Sequence, residues 1–233
     1  MRGFRVILAG LAVIVVGATG AMAWLGYFGG PLFADMPANG PRRRFAVVYL
    51  SSDMGLRSGM APELIQRLAA DGVSVVGVNM LTYMRRTRTP SEITALVARA
   101  EIRAMRLGDT DRVVLIGQSF GADMLHVGLA RLPPSLRAKV AKVVLIVPED
   151  NVEFRASPGE IFDAWTPTTN ALSTARALTW APVLCIHGVE EPDSLCPVLK
   201  QPNARVVALP GGHPLHRDTD RLYRTVSQFV FAH

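Results

Sequence analysis

Gly117-Gln118-Ser119-Phe120-Gly121 sets a serine among small residues, after the apolar run Val113-Val114-Leu115-Ile116 and before a helix-forming segment. A serine on a sharp strand-to-helix turn holds its hydroxyl above the edge of a sheet, where it can attack an acyl carbon. Small neighbours relieve the crowding of that strained turn. The hydroxyl is a weak nucleophile near neutral pH, so a base and an acid that orients the base are required. In this design both stand at the ends of later strands, the acid before the histidine. Of five histidines, His213 lies in Leu209-Pro210-Gly211-Gly212-His213, between the last strand-like run and the last helix, where the base belongs. His216 is its nearest substitute; His126 follows Ser119 on the same helix, His187 ends a strand and His233 is terminal. The loop after Pro182–His187 offers Glu190, Glu191 and Asp193 as the acid. Asp193, in acid-x-x-x-Pro spacing with Pro197, is preferred, and Glu191 is the alternative. The oxyanion formed during attack needs backbone N–H donors. Phe120 supplies one, and Asp53 or Met54, after the first strand, the other.

Alternating elements must position these residues. Apolar runs at Phe45–Ser51, Val73–Asn79, Arg112–Gly117, Val140–Val147, Pro182–His187 and Arg205–Leu209 read as six buried strands. Helical spacing over Ala61–Asp71, Ser91–Leu107, Gly121–Leu132 and about Asp218–Ala232 separates most of them. Strands that are apolar throughout, alternating with helices, predict an α/β fold with a mainly parallel, doubly wound sheet. Its sites form at the carboxyl edge of the strands. With the serine turn in place this is the α/β-hydrolase pattern. Residues 148–180, with Pro158 and Pro167, break the rhythm and are a candidate cap.

The expected organisation is a targeting segment over residues 1–28, a Gly- and Pro-rich linker over 29–44 and a hydrolase domain over 45–233. Arg2 and Arg5 precede an uncharged stretch, and Ala21-Met22-Ala23 fits a small-x-small cleavage site. The apolar run is also long enough to span a bilayer, so cleaved signal and retained anchor both stand. Either form places the domain outside the cytoplasm. There Cys185 and Cys196, the only cysteines, could pair. The formal net charge is +6, almost all of it from arginine. No helix-turn-helix, zinc-finger spacing or interleaved basic and aromatic pattern accompanies it, so nucleic acid is not expected as a partner.

Taken in order, several segments resemble the bacterial virulence protein family of VirJ and the C-terminal part of AcvB. They are Gly117 through Asp123, Arg131-Leu132-Pro133-Pro134-Ser135-Leu136-Arg137, Cys185 through Cys196 with Glu191 and Asp193-Ser194-Leu195, and Pro210-Gly211-Gly212-His213. The resemblance covers roughly residues 45–232. It implies a periplasmic α/β-hydrolase linked to virulence-associated secretion; AcvB-like members hydrolyse lysyl-phosphatidylglycerol. Gln118 stands where the family pattern has tyrosine. Ser52-Asp53-Met54-Gly55-Leu56 replaces a glycine-rich, tryptophan-ended loop, and Pro214 stands where a second histidine would follow.

Charge placement adds to this. Glu149, Asp150, Glu153, Glu160 and Asp163 crowd the candidate cap, while Arg85, Arg86 and Arg88 follow the second strand. The acids are expected to meet a cationic aminoacyl group and the arginines a lipid phosphate at the membrane surface. Gln118, Arg85 and Glu149 are thus the expected substrate-binding residues. Neither a metal nor an organic cofactor is expected. Beside hydrolysis of an aminoacylated phospholipid stand two other readings: an esterase for another ester, and a non-catalytic periplasmic partner of a type IV secretion machine.

Overall fold

Runs of β-branched and aliphatic residues form the centre of the computed structural model, which describes residues 2–156 and 169–232, backbone alone for 2–9. An N-terminal helix α1 (Arg2–Leu25) leads to strands β1 (Phe33–Met36) and β2 (Ala46–Leu50). Then come α2 (Ala61–Ala70), β3 (Val75–Val78), α3 (Met80–Met84), α4 (Pro90–Gly108), β4 (Val113–Gln118) and α5 (Phe120–Ala130). After α6 (Pro134–Arg137) and β5 (Val140–Ile146), β6 (Asn151–Val152) pairs antiparallel with β7 (Thr169–Asn170). α7 (Leu172–Arg176), β8 (Val183–Gly188), β9 (Ala204–Leu209) and α8 (Thr219–Val230) complete the chain.

The main sheet has seven strands in the order β1-β3-β2-β4-β5-β8-β9. Six are parallel, as the α/β-hydrolase pattern requires, and they match the six expected apolar runs. The seventh corrects the expected linker: Phe33–Met36 runs antiparallel to β3, with Phe33 opposite Val78 and Met36 opposite Val75. Its side chains are mostly exposed, as an edge strand allows, so no apolar run marks it.

Because both sheet faces are covered, side chains on either side of each strand are apolar. On one face Val48, Leu115 and Leu145 meet Ile93, Leu96 and Leu125 from α4 and α5. On the other, Val47, Ile116 and Val144 meet Leu64, Leu68, Leu222 and Val226 from α2 and α8. Each such side chain contributes about 1.5–3 kcal/mol by leaving water. A capping box fixes the start of α4: Thr89 Oγ1 accepts from the Glu92 N–H, and Glu92 accepts from the Thr89 N–H.

The domain also grips the end of α1. Arg57 donates to the Trp24 carbonyl at 3.0 Å, Asn79 to Leu25 at 3.3 Å, Thr82 to Gly26 at 2.9 Å and Arg85 to Phe28 at 3.0 Å. The first two satisfy carbonyls that the helix end leaves open, and the other two hold the turn that follows. Among the described residues, no helix is long and apolar enough to cross a membrane. Cys185 and Cys196 form a disulfide with Cα atoms 5.5 Å apart. Pro158, Glu160, Asp163 and Pro167 of the expected cap, and His233, lie outside the described residues.

Candidate active site

Ser119 sits between β4 and α5 with φ 53° and ψ −129°, a left-handed conformation that is strained for a side-chain-bearing residue. The turn is held by the Ser119 N–H donating to the Ile146 carbonyl at 2.7 Å. It also depends on absent side chains. A Cβ at Gly117 would lie 2.5 Å from the Gly121 carbonyl oxygen, and one at Gly121 would lie 2.3 Å from that of Ser51. The two glycines of the motif therefore let α5 start against β4 and β2.

His213 arrives from the loop after β9, as its position in the sequence implied. Its Nε2 is 2.7 Å from Ser119 Oγ, and its Nδ1 is 2.5 Å from Glu191 Oε1. A carboxylate can only accept, so Nδ1 carries the proton and Nε2 keeps a lone pair for the serine O–H. Glu191 is the alternative acid, and it displaces Asp193. Its side chain is only 6% exposed, and Oε2 accepts from the Gly188 N–H at 3.3 Å within a tight turn. Asp193 is exposed, and its carbonyl accepts from the Asp150 N–H at 2.9 Å, with no contact to His213. The loop turns back after Pro192, so only the longer side chain, placed before the turn, reaches the imidazole. The hydrogen bond to Glu191 raises the pKa of His213 above the ordinary histidine value against the opposing effect of burial.

Phe120 opens α5, so its N–H has no acceptor within the helix, and the residue lines the cavity beside Ser119. Of the two second donors expected, Asp53 lines the cavity beside Ser119. The Met54 N–H instead donates to Ser52 Oγ at 3.3 Å, and Met54 is exposed. The cavity, about 280 Å³, is also lined by Asp123, Glu149, Asn151 and Glu153. Glu149 thus stands where substrate-binding was expected, with Oε1 3.9 Å from His213 Nδ1. Burial and neighbouring carboxylates push its carboxyl above the usual range, against the pull of His213.

Two other expected binding residues are elsewhere. Gln118 has the same strand parity as Val114 and Ile116, so it turns away from the cavity and accepts from the Tyr49 hydroxyl. Arg85 is spent on the Phe28 carbonyl, and Arg88 pairs with Glu92 at 2.9 Å and stacks on Tyr83. His126 is buried against Thr174 Oγ1 at 2.8 Å, and burial lowers its pKa to about 3. His187 bonds the adjacent Gly188 carbonyl, and His216 is exposed. Asp123 and Asn151 also line the cavity, though neither was expected there. The signal for Asp123 was its place in the first turn of the helix that follows Ser119.

A family model described as bacterial virulence protein (VirJ) matches residues 44–231. Solved structures similar to this chain include Est1E from Butyrivibrio proteoclasticus, at TM-score 0.60 and 16% identity over 84% of this chain and 90% of that one. A proline iminopeptidase from Mycobacterium smegmatis aligns at TM-score 0.59 and 14% identity, over 85% and 93% of the two chains. The esterase Pf2001 from Pyrococcus furiosus aligns at 0.53 and 16% identity, over 80% of each. These likenesses establish the α/β-hydrolase fold. No curated protein matches the chain in sequence.

Proposed function

Because the chain belongs to the bacterial virulence protein (VirJ) family, we propose that it is a periplasmic serine hydrolase that cleaves the aminoacyl ester of an aminoacyl-phosphatidylglycerol. The observation that carries this reading is the unbroken line Ser119 Oγ, His213 Nε2, His213 Nδ1, Glu191 Oε1, with links of 2.7 and 2.5 Å. His213 takes the serine proton as Oγ bonds the ester carbon, and Glu191 stabilises the imidazolium. The carbonyl oxygen becomes an anion facing the N–H groups of Phe120 and Asp53. His213 returns the proton to the departing glycerol oxygen of the lipid as the ester bond breaks. A water, deprotonated by His213, then releases the amino acid from Ser119.

An acidic lining around Ser119 supports a cationic acyl group over a fatty acyl group. The disulfide fits an oxidising compartment, and the basic N-terminus fits export of the domain. The test uses the full-length protein and its Ser119→Ala variant. A fluorophosphonate probe labels the first alone, and only the first releases lysine from lysyl-phosphatidylglycerol vesicles. Labelling without lipid hydrolysis selects an esterase for another substrate, and absence of both signals selects a non-catalytic secretion partner.

A further inference from the structure

We propose that Asp123 is the seat of the substrate's α-ammonium group, so that the pocket prefers esters of free amino acids to the same esters with the amine blocked. This rests on Ser119 being the nucleophile and deepens that reading by dividing the acidic wall into parts. Asp53, Asp123, Glu149 and Glu153 all line one cavity, and among the described residues no lysine or arginine lines it. Like charges in so small a space repel, and a bound cation relieves them.

Asp123 differs from the other three in place and in restraint. It lies on the first turn of α5, where its N–H donates to the Ser119 carbonyl at 3.2 Å, and it lines the same cavity as Ser119. Only 4% of the residue is exposed, and it opens on the cavity. One oxygen is held by the Glu149 N–H at 3.0 Å, which fixes the carboxyl and leaves it further acceptor capacity for a ligand. In an amino acid ester the α-nitrogen is one carbon from the carbonyl that Ser119 attacks. A carboxyl one helical turn from the nucleophile suits that short span. Glu149, half exposed at the rim, suits a longer cationic side chain.

The same placement bears on the reaction. An uncharged ester leaves the ionised acids of the lining to oppose the developing oxyanion, whereas an α-ammonium offsets them. Burial, with Glu149 and Glu191 nearby, pushes the Asp123 carboxyl well above its ordinary range. An arriving ammonium works against that effect and favours the carboxylate. Asp53, Glu149, Glu153 and His213 line the same space.

Alanine methyl ester and N-acetylalanine methyl ester, at about pH 6 where the free amine is protonated, separate the ideas. Calorimetric titration of full-length Ser119→Ala is expected to give binding of the free amine about 10- to 100-fold tighter, the range of a charge-assisted hydrogen bond. Adding Asp123→Asn, which keeps an oxygen for the Glu149 N–H, should shrink the preference to about twofold. With Ser119 intact the ratio of kcat/KM for the two esters follows the same pattern. Equal binding of the two esters, or a preference that survives Asp123→Asn, overturns the proposal. If Asp123→Asn does not fold, the Asp123-containing protein decides, and equal binding of the two esters overturns it. If Ser119→Ala discriminates between the esters while the wild type hydrolyses neither, the amine site stands and the hydrolase reading falls.

Discussion

Glu191 reaches His213 from a loop with three acids within four residues, and it does so because of reach and direction rather than acidity. The Gly188 N–H fixes one of its oxygens and leaves the other for the imidazole. Since Glu191 is the main cause of the raised His213 pKa, two effects follow from Glu191→Gln. His213 must be neutral to take the serine proton, so activity falls as pH drops through its raised pKa. Without the carboxylate, that acid limb should move to lower pH, and kcat should fall by roughly 10²–10⁴-fold as base orientation is lost. Asp193→Asn should change both by less than about twofold, because Asp193 acts through its backbone. A pH–rate profile of the three proteins checks this, and an unshifted limb in Glu191→Gln would contradict the assignment. Ser119 and His213 were legible in the sequence because each is tied to a boundary, strand to helix or strand to loop. The acid was not, since loop curvature after Pro192 has no periodicity to read. Gln118 was readable in principle: strand alternation assigns it to the face of Val114 and Ile116, away from the site.

β8, its following loop and the Cys185–Cys196 bond act together, for the loop that the disulfide closes carries Glu191. Closing a loop of this size restricts the unfolded chain and contributes about 2–3 kcal/mol. Replacing both cysteines by alanine should lower unfolding free energy by about 2–4 kcal/mol in urea. It should also reduce kcat more than KM, as Glu191 loses its fixed approach. Unaltered kcat at full folding would show that the turn at Gly188 alone suffices. Among the elements, the six parallel strands were legible because both of their faces are buried and their sequences are apolar throughout. β1 was not: four residues flanked by Pro31 and Pro37, with one side of the strand unpaired, look like linker. What places Phe33–Met36 in the sheet is the free edge of β3, a property of the fold and not of the segment.

The molecule holds five parallel strands' carboxyl ends around one cavity: Asp53 follows β2, Ser119 follows β4, Glu149 follows β5, Glu191 follows β8 and His213 follows β9. That convergence follows from parallel winding. Stability of the whole has a different weak point. Glu101 on α4 is fully buried, neither of its oxygens has a hydrogen-bond partner, and burial raises its pKa to about 8. An acid with a raised folded-state pKa binds its proton more tightly in the native than in the unfolded chain. Stability is therefore lost as pH rises from the unfolded value of 4.5 to about 8, and the loss then levels off. Glu101→Gln removes this titration. Its Tm relative to wild type should rise between pH 5 and pH 8.5, with a gain of several degrees at the upper end. A constant difference across that range would assign the carboxyl another role.

The bond between Cys185 and Cys196 also bears on when the protein comes to life. A chain with both thiols reduced carries Glu191 on an open loop, with nothing covalent to return it to His213. Oxidation of the pair would then complete the charge line and raise hydrolysis. The redox state of two cysteines outside the triad would thus set how much of the catalyst is assembled.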